Sequence, residues 1–272
     1  MVTFSNKVYS KAKRYLLKSY LGLAIFRSLN RKKENFICPI CSYHGPFVNV
    51  HPETGIRKHA LCPKCGSAER HRLQYLVLRK IAVTYDLSKM SLIHFAPESF
   101  FQRYFRKVFG SYTSADLYNR NVDYKIDLRN IPFEDHSYDV VFASHVLEHI
   151  KEDDEALKNM FTLLKKHGKL ILLVPAHKIL FSDFDKLLGH WRRYDKKLLG
   201  RKLSSVGLKR VLLRYINFSS AFGWLIFLKF TKWREIPKKQ LGIFDFFGKI
   251  FLWPENFIEP PFGLSVLAIY EK

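Results

Sequence analysis

Only four cysteines and three methionines occur in the 272 residues, and every cysteine lies between positions 38 and 65. A disulfide framework spread along the chain is therefore excluded. Acids are also sparse: 24 Asp and Glu stand against 46 Lys and Arg, a net charge of +22, so the natural counterpart of this surface is anionic. Long apolar runs are missing. The longest, Phe218 to Phe230, is interrupted by Lys229 and falls short of the roughly twenty residues that a membrane-crossing helix requires. No small-residue cleavage site follows the basic first twenty residues (Lys7, Lys11, Lys13, Arg14, Lys18), which argues against a signal peptide. Internal repeats and low-complexity segments are absent as well. A 47% hydrophobic content supports one sizeable core and a small metal-stapled module.

The cysteines form two CxxC pairs, Cys38-Pro-Ile-Cys41 and Cys62-Pro-Lys-Cys65, with twenty residues between them. This is zinc-ribbon spacing: two knuckles can supply four thiolates to one tetrahedral ion, and a shell closed by four sulfurs is structural. A disulfide in each pair is the competing reading, but CxxC is a poor geometry for a stabilising bridge. His44, His51, His59 and His71 lie nearby and are expected outside the metal shell. Leu73, Leu76, Val77 and Ile81 then follow helical spacing.

The segment 123–150 reads as strand, acidic turn, strand, polar tip, helix. Tyr138 to Ala143 is a short apolar run bounded by Glu134, Asp135, His136 and Ser137, as expected of a strand buried on both faces. Asp127 ends the preceding strand, and Ser144 and His145 end this one. In an open α/β sheet such strand ends face the ligand.

The run IDLRNIPFEDHSYDVVFASHVLEHI, followed by LLKKHGKLILLVPA, resembles the second half of a class I S-adenosylmethionine-dependent methyltransferase domain of type 11. The likeness runs from about Ser91 to Tyr215. It implies a doubly wound, mainly parallel, seven-stranded α/β sheet of Rossmann-like methyltransferase type, with a small N-terminal zinc ribbon. It also implies that Asp116, beside Leu117, holds the cofactor's ribose and that Asp127 and Leu128 hold its adenine, with Ser144 and His145 lining the pocket. A carboxylate can accept two ribose hydroxyl hydrogen bonds. The departure is at the first strand: the family's glycine-rich turn is replaced by Phe95, Ala96, Pro97 and Glu98. Ala96 is small enough to stand in for one glycine, and Glu98 is placed to bind the cofactor's amino group.

The expected substrate side follows the fifth strand, at GHWRRY (189–194). Together with the final strand PPFGLSVLAIYEK it resembles methyltransferases of bacterial surface-glycan pathways, which implies an oxygen or carboxylate acceptor on a small molecule or glycan, a lipid-linked one included. His190, Arg193 and Tyr194 are the catalytic candidates: His190 as base, and Arg192 or Arg193 to orient a phosphate or carboxylate. His145 and His149 compete with His190, and His149 is expected inside a helix start as a packing or capping group. The domains are expected at 1–34 (basic amphipathic lead), 35–68 (ribbon) and 69–272 (methyltransferase, with an insertion at about 218–262). Basic residues beside aromatics at both ends suggest a cytoplasmic protein held peripherally on an anionic membrane surface. Two alternatives stay open: an RNA methyltransferase whose ribbon docks RNA, and a non-catalytic adaptor with a degenerate cofactor pocket.

Overall fold

The computed structural model describes residues 19–50, 57–82, 85–218, 221 and 259–272. Most of the basic lead, His51 and nearly all of the expected insertion, including the aromatic patch Phe222 to Trp233, lie outside the described residues. The chain divides into two compact units, Met1–Tyr85 and Asp86–Lys272. The helix after the cysteines, expected to open the downstream domain, thus falls in the first unit.

That first unit holds helix α1 (Tyr20–Leu29), two short antiparallel pairs, β1 (Phe36–Ile37) with β2 (His44–Gly45) and β3 (Val48–Val50) with β4 (Arg57–Leu61), and helix α2 (Glu69–Ala82). Ser19 starts α1, its hydroxyl accepting the Gly22 N–H at 3.0 Å. Cys38, Tyr43, Phe47 and Cys62 form the buried centre, with Leu23 of α1 packed against it.

The second unit is one seven-stranded sheet. In chain order it contains β5 (Ser91–Phe95), α3 (Ser99–Val108), β6 (Ser111–Asp116), β7 (Tyr124–Lys125), β8 (Tyr138–Ser144), α4 (Asp153–Leu163), β9 (Leu164–Pro175), α5 (Asp183–Leu187), α6 (Lys196–Ser205), β10 (Lys209–Ile216) and β11 (Ser265–Glu271). The spatial order is β10-β11-β9-β8-β5-β6-β7. Neighbours from β9 to β7 are parallel, and β11 runs antiparallel to both β9 and β10. The chain winds outward in one direction from β5 and in the other from β8, so the order reverses between these two strands and leaves a crevice at their carboxyl ends.

Composition explains the sheet. β5, β8 and β9 are almost continuously buried, as strands covered on both faces must be. Helix α4 begins with Asp153, Asp154 and Glu155, which favour the positive end of the helix dipole, and buries Ala156, Leu157, Met160 and Leu163 along one stripe. Each large side chain so buried contributes on the order of 2 kcal/mol. Asp195 caps α6 by accepting the Leu198 N–H at 2.7 Å. At the opposite edge from the crevice, Asp139 ties three strands together, accepting from Ser91 N (2.8 Å), Ser91 Oγ (2.6 Å) and Lys165 Nζ (2.9 Å).

Candidate active site and cysteine centre

The turn from β5 into α3 replaces glycine by strain. Ala96 adopts φ +47°, a left-handed conformation costing an L-residue on the order of 1 kcal/mol. Its N–H still donates to Ala115 O of β6 at 2.9 Å, so the chain leaves the sheet sharply without a break in pairing. Pro97 is buried, and Glu98 is the N-cap of α3 with its Oε2 shielded from solvent. Phe95 is buried in the core, so only its backbone end reaches this edge.

Asp116 is the last residue of β6. Its Oδ1 accepts the N–H groups of Tyr118 and Asn119, both at 2.7 Å, and its Oδ2 has no hydrogen bond among the described residues. One oxygen therefore shapes the turn while the other remains for a hydroxyl, so the turn-forming and ligand-binding readings are compatible. Leu117 beside it is 43% exposed. Asp127 lies past β7, with both oxygens engaged by Arg129, which also pairs with Glu152. Arg129 holds the Asp127 carboxyl below its usual range. Exposed ion pairs of this kind are worth about 1 kcal/mol or less, so a ligand can displace it. Leu128 is buried, its carbonyl accepting from Asn159 at 3.0 Å.

On the other wall, Ser144 is buried at the end of β8 and His145 takes φ +56°. His145 N donates to Leu173 O at 2.8 Å, and its Nδ1 lies 3.1 Å from Glu148 Oε1. Glu148 is fully buried. His149, expected in a helix start, instead closes the short 3-10 turn Leu147–His149 and is exposed, because the helix begins only at Asp153. Its ring meets that of His190, centroids 4.7 Å apart. His190 Nδ1 lies 2.9 Å from Asp185 Oδ1. An ionised carboxylate only accepts, so Nδ1 carries a proton, and in the neutral ring Nε2 carries the lone pair.

Two of the catalytic candidates have a different place. Arg193 is buried, its guanidinium paired with Asp185 at 2.8 Å and donating to Ala176 O. Tyr194 is fully buried, its hydroxyl donating to Asp153 Oδ2 at 2.9 Å; burial and that carboxylate push the phenol well above its ordinary value. Both side chains are committed inside the fold: Tyr194 belongs to the main core, and Arg193 compensates Asp185. Arg192 is likewise engaged, with Asp153 at 2.6 Å. The buried acceptor Asp153, which also receives Lys202, carried no signal in the sequence beyond its place in an acidic helix start. Although burial works against it, the His190 ring and Arg193 hold the Asp185 carboxyl below its usual range.

The four cysteines converge. Cys38 and Cys65 sulfurs are 3.7 Å apart, Cys41 and Cys62 3.6 Å, and all four lie within 4.8 Å of one another. A tetrahedron with bonds of about 2.3 Å has edges of about 3.8 Å, so the spacing fits one zinc ion. None of the four is in a disulfide. The knuckles repeat one geometry: Ser42 N donates to Cys38 O and Gly66 N to Cys62 O, both at 2.9 Å, with Ser42 at φ +55° and Gly66 at φ +75°. Ser67 Oγ lies 3.2 Å from Cys65 Sγ, and Arg72 fixes the second knuckle through Ser67 O at 2.7 Å. His71 does not join the sulfurs; its Nδ1 accepts from Ala68 N.

Residues 98–172, within the second unit, match a family model described as a methyltransferase domain. The match begins at Glu98 and ends within β9, and so spans the crevice edge from α3 to β9. Among curated proteins, the chain is 33% identical over 69 residues to the ubiquinone/menaquinone biosynthesis C-methyltransferase of Pseudoalteromonas translucida, covering 24% of this chain and 28% of that protein. It is 38% identical over 76 residues to a highly reducing polyketide synthase of Pyrenophora dematioidea, covering 27% of this chain and 3% of that protein. The chain thus spans under a third of these relatives. Among solved structures, an S-adenosylmethionine-dependent methyltransferase from Archaeoglobus fulgidus is 17% identical with a TM-score of 0.48, covering 74% of this chain and 93% of that one.

Proposed function

We propose that this protein is an S-adenosylmethionine-dependent methyltransferase that methylates an oxygen or carboxylate acceptor, and that its cysteine module holds one structural Zn2+. The observation that carries the reading is the meeting, at the reversal of strand order, of the positive-φ Ala96 turn with Glu98, the half-engaged Asp116 and the matched domain segment. Asp116 Oδ2 would take a ribose hydroxyl, Glu98 the cofactor's amino group, and the segment at Asp127 and Leu128 its adenine. Bound S-adenosylmethionine supplies a methyl group on sulfonium.

The acceptor's approach is from the wall formed by His145, His149 and His190. An acceptor oxygen held at this wall would receive the methyl group, the C–S bond breaking as the O–C bond forms and S-adenosylhomocysteine leaving. A carboxylate acceptor needs no base, whereas a hydroxyl loses its proton to the lone pair at His190 Nε2, which Asp185 orients. Leu187 (71% exposed), Leu188 (48%) and Trp191 (57%) flank His190 and favour an acceptor with an apolar part, such as a lipid-linked sugar. Tyr20, Leu21, Ile25 and Leu29 of α1 are all more than half exposed beside a basic lead, which supports peripheral attachment to an anionic, cytoplasmic-side membrane surface. No described helix is long and apolar enough to cross a membrane.

The test is incubation of zinc-loaded protein with methyl-labelled S-adenosylmethionine and, separately, with lipid-linked glycans, free sugars and RNA. Label transferred to the glycan or lipid-linked pool supports the reading. Transfer to RNA alone would replace the acceptor.

A further inference from the structure

We propose that Glu148, His149 and His190 form a second metal site, for a divalent first-row ion such as Mn2+ or Zn2+, on the acceptor side of the crevice. One donor atom from each residue lies within 4.8 Å of the others. Ligand atoms on an ion with bonds of about 2.1 Å stand about 3.4 Å apart, so closure needs a shift of roughly an ångström. His149, which is exposed, is free to make it.

Two independent features point to a ligand here. Glu148 is fully buried, and its Oε2 has no hydrogen-bond partner among the described residues, while Oε1 faces His145. A buried carboxylate oxygen left unsatisfied is destabilising, and a cation would offset that. Asp185 holds His190 by Nδ1 and so leaves Nε2 for a second partner, the arrangement that orients a metal-bound imidazole. Gly189, at φ +76°, turns the chain back so that His190 N donates to Asp185 O at 2.9 Å; a Cβ there would sit 3.8 Å from His149 Nδ1. Arg193 pairs with Asp185 and its charge also reaches Glu148, whose Oε1 faces His145, so Oε2 is the oxygen left for the ion.

Two imidazoles and one carboxylate leave coordination positions open, as a catalytic site does and the four-cysteine site does not. An acceptor hydroxyl on the ion would lose its proton to solvent at neutral pH, so the ion would replace His190 as the group that activates it. This role rests on the methyltransferase reading; the site itself does not.

The test is a calorimetric and water-proton-relaxation titration of the zinc-loaded full chain with Mn2+, an ion that thiolates do not select. The expected result is one equivalent bound with micromolar affinity, weakened at least a hundredfold in Glu148→Gln and in His149→Ala, with S-adenosylmethionine affinity unchanged. Because His149 is an exposed side chain, its variant keeps the fold even if the Glu148 variant does not. No saturable Mn2+ binding by protein that binds S-adenosylmethionine, or equal binding by His149→Ala, would overturn the site. Mn2+ binding without cofactor binding would uphold the site and remove the methyltransferase reading instead.

Discussion

His94 shows how a single residue ties the fold to pH. It lies in β5, 1% exposed, among Phe105, Tyr112 and Phe142, and burial lowers its pKa from 6.5 to about 3. Its folded form stays neutral while the unfolded chain takes up a proton below 6.5. The stability it contributes is therefore full above pH 6.5 and is lost as pH falls towards about 3, at about 1.4 kcal/mol per unit. Urea unfolding should show about 2 kcal/mol lost between pH 6.5 and 5, and most of that slope should vanish in His94→Leu. A parallel slope in the variant would remove His94 as the cause. Asp185 is the second such residue. Asp185→Asn leaves buried Arg193 without its counter-charge, and thermal melts should show a loss of about 3–5 kcal/mol. Much at this scale was legible in advance: Asp116 stands where its strand ends, and GHWRRY follows β9. What could not be read is which side chains of GHWRRY face inward. Arg193 and Tyr194 carry the residue types of a catalytic centre, but partners eight and forty-one positions away, Asp185 and Asp153, hold them in the interior.

Among the elements, the β5–α3 turn is the decisive one. Glycine absent from a place that needs positive φ could have meant a lost pocket; instead Ala96 takes the conformation itself. Ala96→Gly should therefore keep cofactor affinity, whereas Ala96→Val, with a β-branched side chain at positive φ, should lower it at least tenfold and destabilise the protein. Equal binding by both variants in calorimetry would mean that this turn does not approach the cofactor. Strands β8 and β9 were readable as apolar runs because both their faces are covered. The start of α4 was less so. The polar tip after β8 was expected to lead directly into a helix, but a 3-10 turn intervenes, and this displacement brings His149 against His190 from forty-one positions away. No periodicity records a contact of that separation.

The whole molecule pairs a core-stabilised sheet with a module whose buried centre is little more than Tyr43, Phe47 and the cysteines. So small a centre is expected to rest on the ion proposed for its cysteines. Chelation, or Cys62→Ser, should unfold the first unit while the second still unfolds cooperatively; hydrogen exchange would show protection lost in 36–67 and retained in β5, β8 and β9. Loss of protection throughout would mean one cooperative unit instead. The mostly parallel seven-stranded sheet agrees with the fold that the resemblance implied, and β11 runs antiparallel between β9 and β10. The most direct test of the account is calorimetric titration of the zinc-loaded protein with S-adenosylmethionine, beside Asp116→Ala. Micromolar binding, weakened at least tenfold in the variant, is the predicted result. A folded protein that binds no cofactor would contradict the account and leave a non-catalytic adaptor in its place.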